Sequence, residues 1–270
     1  MTATLSLFTA FLRRDWAIAR SYRLSFGLGV VDSLVSLVLF FYLGQLIDQT
    51  ELSSESQLSA GYFAYAIVGF ALIDILRTGV TTFAAQLRDD QVTGTLEALL
   101  VTPSPQSLVV LASASFDILK AILGSVVMIV LAVLFFGLDL SLDGPSAVAL
   151  LVAIPASFAL FTALGIAVAG LTVMVKQTVT LVQFLMTGIS VLAGVYFPIS
   201  VLPQPLETIA ELLPFTWALD VFRDALLGGD VSTTKVVLLV GCGGLALPLS
   251  IALFGSAVDY AKRQGSLAQY

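Results

Sequence analysis

Apolar residues run along this chain in long blocks parted by short polar breaks. Six blocks occupy residues 24–47, 61–87, 107–137, 145–175, 178–197 and 236–258. A helix needs about 20 apolar residues to cross a hydrocarbon layer about 30 Å thick. Each block meets that length, so the pattern predicts six transmembrane helices. The longest must tilt or protrude, and Pro155 and Pro248 fall inside blocks, where they favour kinks. Before the first block, Leu5, Phe8, Leu12, Trp16 and Ala19 recur at helical spacing, with Arg13, Arg14 and Arg20 off that stripe. That pattern predicts an amphipathic helix over 1–23 lying in the membrane interface, and not a cleaved signal peptide. Between the fifth and sixth blocks, Pro198, Pro203, Pro205 and Pro214 cut residues 198–230 into pieces too short to span. Two short helices are expected there, over 206–213 and 216–227, the second ended by Gly228 and Gly229.

Basic residues orient this array. Arg13, Arg14, Arg20 and Arg23 precede the first block, Arg88 follows the second, Lys176 the fourth, and Lys262 with Arg263 the sixth. The other side carries Arg223 and Lys235. Both termini are therefore expected in the cytoplasm of a multi-pass protein of the cell (inner or plasma) membrane. Composition agrees with lipid as the solvent. Hydrophobic residues are 58% of the 270, charged residues 11%, and mean hydropathy is +1.02. No aqueous core of that length hides so much apolar surface. A net charge of −6 without a basic stripe argues against nucleic acid as a partner. The chain has no histidine and a single cysteine, Cys242. Histidine-dependent catalysis and an intrachain disulfide are thereby excluded, and no metal site is expected.

The polar break at 88–106 differs from the others. Residues 89–103 read DDQVTGTLEALLVTP. A short helix over 92–100, with Thr93 as N-cap, would gather Leu96, Leu99 and Leu100 on one face with Glu97 beside them. Pro103 and Pro105 then stop it and re-aim the chain. The run Gly94, Thr95, Leu96, Glu97, Leu99, Leu100, Thr102, Pro103 resembles the coupling region of ABC-2 type permeases, where an acidic lead is followed by Gly-Thr-Leu-Glu-x-Leu-Leu-x-Thr-Pro. Asp89, Asp90 and Gln91 stand where that family usually has Glu. The resemblance implies that Asp89, Asp90, Gly94, Thr95, Leu96, Glu97, Leu100 and Pro103 dock a separate ATPase.

The resemblance also extends to residues 198–230. Pro198, Pro203, Pro214, Arg223 and Gly228 match the family there. The resemblance implies two short helices that re-enter the outer leaflet between spans five and six, with Pro198, Pro214 and Arg223 in an outer gate. Phe215 and Trp217 follow Pro214 at the start of the second helix and are expected in that gate, near the outer-leaflet exit. The bland alternative is a surface hairpin capping the bundle. The whole is expected to be an all-α membrane protein and a single domain over 1–270.

Ionisable residues inside the spans are Asp32, Asp74, Arg77, Asp117 and Lys120. Such residues are costly in lipid unless paired or wet. If spans two and three mirror each other about Glu97, Asp74 meets Lys120 and Arg77 meets Asp117. The cluster is then either a structural clamp or the polar lining of an inner cavity.

The resemblance implies the permease subunit of an ATP-driven exporter, working by alternating access, for a drug, a lipid or a lipid-linked glycan. The chain lacks a Gly-x-x-x-x-Gly-Lys-Ser/Thr loop. ATP and Mg are thus expected on the partner ATPase, with no cofactor and no enzymatic activity here. A second permease subunit, in a homodimer or a related heterodimer, is implied, and Gly27, Gly29, Gly188 and Gly194 permit close approach of spans one and five. Phe40, Phe41, Tyr42 and Tyr62 either line a lipid or glycan path or form an interfacial belt. The alternative function is a proton-coupled secondary carrier using the buried carboxylates.

Overall fold

The computed structural model describes residues 2–21, 23–47, 61–94, 106–174 and 178–264. Among these residues the fold is all helical. The helices are α1 (Thr2–Ser21), α2 (Arg23–Ile47), α3 (Tyr62–Val92), α4 (Gln106–Phe136), α5 (Gly144–Met174) and α6 (Thr178–Leu192). They continue with a 3-10 turn (Ile199–Val201), α7 (Gln204–Leu212), α8 (Pro214–Leu227) and α9 (Thr233–Gln264).

Five of the described helices, not the expected six, are long and apolar enough to cross a membrane: α2, α3, α4, α5 and α9. The apolar block at 178–197 folds differently. Its helix α6 has 15 residues and rises about 22 Å, short of the roughly 30 Å of hydrocarbon. The chain then turns at Gly194, whose φ is 78°. Val195 is apolar because it is buried in the protein core, not because it continues a helix. Both interior prolines are accommodated, and α5 and α9 continue through Pro155 and Pro248.

Helix α5 is the central post. It packs along α9 and α3 and also touches α8 and α6, while α3 packs on α4, α2, α6 and α8. Close approach is achieved with small residues. A Cβ at Gly165 would collide with the Gly79 carbonyl oxygen and the Phe83 ring, so α3 and α5 touch backbone to backbone there. Asp143 starts α5 by accepting the Ser146 N–H at 3.0 Å on Oδ1, as an N-cap does. Hydrogen bonds from the Ser146 side chain and backbone hold this exposed carboxyl below its usual pKa.

Helix α1 is present as expected, but its bundle face is rotated from the sequence stripe. Phe11 is buried against Val109 and Ala112 of α4, with Leu7 and Phe8 beside it. Asp15 follows one turn later and is also buried, its Oδ1 accepting from Arg14 Nε at 2.6 Å. Trp16 stays 59% exposed. Helix α1 thus carries apolar side chains on two faces, one packed on α4 through Phe11 and one left exposed at Trp16 and Ile18.

Candidate functional site

Helix α3 connects three regions that the sequence singles out. Its first half is enclosed. Every residue from Tyr62 to Ile73 is buried except Phe63 and Phe70, which are half-buried. Its second half presents Asp74, Arg77, Ala85 and Asp89 on an exposed face. Enclosure and exposure therefore change abruptly at Asp74.

The enclosed half is held by a latch. Arg223 of α8 is 5% exposed. Its Nε donates to Tyr65 O at 3.2 Å and its Nη2 to Val195 O at 3.0 Å. The guanidinium carbon also lies 3.5 Å from the centroid of the Tyr65 ring, a cation–π arrangement. The Tyr65 hydroxyl donates to Gly194 O at 2.8 Å. One buried cation thus ties α8, α3 and the turn at 193–197 together through two carbonyls and a ring face. Burial pushes the guanidinium pKa below its usual value, against the opposing pull of Tyr65, Asp220 and Asp224. Only glycine fits at 69, where a Cβ would collide with Arg223 Nη2.

Around the latch the 198–230 segment is well built. Helix α8 ends at Gly228 in the left-handed conformation, φ 79°, and Ser141 N donates to Leu226 O at 2.9 Å. Lys235 pairs with Asp220 at 2.5 Å. Phe215 is 3% exposed, and its ring lies tilted against the Phe161 ring in the main core, 4.3 Å between centroids. Pro214 begins α8 and points that ring inward, because the N-terminal turn of α8 packs on α5. Trp217 is half-buried and donates from Nε1 to Glu211 O at 2.6 Å, joining α8 to α7. Pro198 is buried and precedes the 3-10 turn.

Asp224, one residue after Arg223, has its carboxyl pushed up to about 6, by desolvation first and then by Asp220 and Asp230, against Lys235 and Arg223. A raised folded pKa means that the folded state holds this proton more tightly than the unfolded chain. Its contribution is fully present below the ordinary carboxylate value near 3.8 and is lost as pH rises toward about 6. Asp224→Asn should flatten that decline. Thermal unfolding midpoints of both proteins between pH 4 and pH 7 check this; parallel profiles contradict it.

The intramembrane charges gather, and only part of the mirrored arrangement is absent. Arg77, Asp32 and Lys120 all act electrostatically on Asp74. Asp32, Asp74, Arg77 and Lys120 are all exposed. No Arg77–Asp117 ion pair forms. Asp117 is half-buried and accepts from Gln86 Nε2 at 2.9 Å, while Ser125 Oγ donates to Ala71 O at 2.7 Å. These contacts set the mirror point of the α3–α4 hairpin past Glu97, so Arg77 and Asp117 lie at different heights.

At the end of α3, the Thr93 hydroxyl donates back to Asp89 O at 2.8 Å. Gly94 follows with φ 73°, the left-handed conformation that commonly ends a helix. Asp89 is exposed and Asp90 half-buried. Thr95, Leu96, Glu97, Leu100 and Pro103 lie outside the described residues.

Sequence reading found Arg223 but not what it holds. Tyr65, Gly69 and Val195 escaped notice, Gly194 was read as a point of close approach between spans one and five, and the one available signal was a glycine and a tyrosine inside an apolar block. Among the described residues, no group of three or more cysteine, aspartate or glutamate side chains could hold a metal ion. Compared with known proteins, the chain matches the family model of the ABC-2 type transporter over residues 6–227. No curated protein matches it.

Proposed function

The chain belongs to the ABC-2 type transporter family, and on that premise we propose that it is the permease subunit of an ATP-driven exporter. Membership of that family makes it a membrane-integral component of an ABC system, in which an ATPase is the implied partner. The direction of transport, the alternating mechanism and the pairing with a second permease are our reading. Residues 88–106 dock the ATPase on the cytoplasmic side, where both termini also lie; this topology requires the block at 178–197, helix α6 with the turn that follows it, to serve as a shorter fifth crossing. Residues 1–23 rest in the interface, and residues 198–230 re-enter the outer leaflet. ATP and Mg belong to the partner, and this chain catalyses no reaction.

The observation that carries this reading is the change along α3 at Asp74. The half of α3 toward the outside is sealed by Arg223, Tyr65 and the turn at Val195. The half toward the cytoplasm opens a charged face. Charges exposed at membrane depth are tolerated only against water, protein or a polar ligand, so that face suits an inward-open vestibule beneath a closed outer gate. Closure of the ATPase would move α3 and α4 through their shared connection at 93–105. A proton-coupled secondary carrier is not favoured, because the family match supplies an ATP-driven partner. The test is a cysteine at Thr78, one residue beyond Arg77. Its reactivity from the cytoplasmic side should depend on the nucleotide held by the ATPase.

A further inference from the structure

The charged face has a composition of its own. Asp32 on α2, Asp74 and Arg77 on α3, and Lys120 on α4 are exposed, and Asp74 lies within the field of the other three. Two carboxylates and two cations therefore share one neighbourhood with no net charge. Among the described residues, the Arg77 guanidinium forms no ion pair and no hydrogen bond to another side chain. The surroundings are apolar. Leu28 and Val35, one turn on either side of Asp32, are 58% and 61% exposed. Beyond the charges, toward the sealed end, the rings of Phe41, Phe63 and Phe136 pack together at centroid distances of 5.2–5.8 Å. Phe40 stacks on Tyr196 of the turn below α8. The charges thus sit on an exposed face shared by α2, α3 and α4 that ends at this aromatic cluster.

We propose that this face binds the headgroup of a zwitterionic amphiphile, a phosphate and an ammonium on one lipid-like molecule, and that such a molecule is the cargo. This rests on the reading of the chain as a permease. An anionic headgroup alone would satisfy Arg77 and leave Asp32 and Asp74 facing it. A cationic one would reverse the conflict. A headgroup with both signs offers its phosphate to the planar donor fork of Arg77 and its ammonium to Asp32. Leu28 and Val35 then lie alongside its acyl chains.

Four fluorescent probes with identical acyl chains test the proposal on the purified full-length chain: phosphoethanolamine, phosphate, trimethylammonium and plain diacylglycerol headgroups. The phosphoethanolamine probe should bind about tenfold tighter than each of the others. Arg77→Gln should remove that preference, and Arg77→Lys should restore part of it. The ranking on the unaltered chain is decisive even if Arg77→Gln fails to fold. Equal binding of the diacylglycerol probe overturns the proposal, as does a preference for the phosphate or trimethylammonium probe. Free glycerophosphoethanolamine distinguishes a membrane-borne from a soluble source. Failure to compete at millimolar concentration supports an amphiphile, and full competition overturns it. If the ranking fails while the partner ATPase still binds the chain, the permease reading survives and this inference alone falls.

Discussion

Gly69→Ala should destabilise the chain by about 2–4 kcal/mol, the expected cost of overpacking combined with lost buried hydrogen bonds. The new methyl group would collide with Arg223 Nη2 and lie 2.9 Å from Val195 O. A long arginine would ordinarily swing aside. Here it is 5% exposed and held by two carbonyl oxygens and a ring, so moving it leaves Val195 O without its donor. The collision has a diagnostic coupling. With Arg223→Leu already present, the guanidinium is gone and Gly69→Ala should cost less than half as much. Unfolding midpoints in detergent for the two single variants and the double variant measure this. Additive losses would show that Gly69 and Arg223 do not share one latch. Gly124→Ala in α4 is the control, since its new methyl meets nothing within 4 Å. It should be neutral or slightly stabilising, because alanine favours helix over glycine.

Glu97→Lys should abolish transport by weakening the ATPase dock at least about tenfold, the scale of a reversed charge facing an oppositely charged partner. The motive is the ordered match from Gly94 to Pro103, with Glu97 the one acidic side chain between Thr95 and Pro103. Insertion and unfolding of the permease alone should be unchanged. Binding of the purified ATPase to the solubilised permease and transport in vesicles are the readouts. Glu207→Lys, on the segment assigned to the opposite side, should leave ATPase binding as it was. If Glu97→Lys binds and transports normally, residues 88–106 are only a connection between helices.

Apolar run length made three of the spans legible to within a residue, because lipid demands length and hydropathy and little else. The runs at 61–87 and 236–258 became helices ending at Val92 and Gln264, since a helix can leave the hydrocarbon before it stops, through Arg88, Asp89 and Asp90 in one and Lys262 and Arg263 in the other. The run at 178–197 gave a helix shorter than the run itself, for the opposite reason. Val195 is buried in a turn, and an apolar letter does not tell protein burial from lipid burial. In-helix spacing placed Asp74 and Arg77 together correctly. Cross-helix register was not legible, because periodicity fixes the face of each helix and not its height against a neighbour. The latch was hidden for a similar reason. Arg223 pairs with backbone carbonyls, which carry no sequence signature, so the argument from charge partners had nothing to find.

The central claim is that the vestibule beside Arg77 opens to the cytoplasm and closes when the ATPase engages nucleotide. Thr78→Cys, in a chain with Cys242→Ser, reports it directly. Thr78 is half-buried on α3 and adjoins the exposed Arg77. A membrane-impermeant thiol reagent is applied to inside-out and right-side-out vesicles that contain the assembled transporter. Without nucleotide, the cysteine should react from the cytoplasmic side alone. With nucleotide trapped on the ATPase, that reactivity should fall and labelling from the outer side should appear. Labelling that is indifferent to nucleotide, or that comes from the outside at rest, would contradict the account.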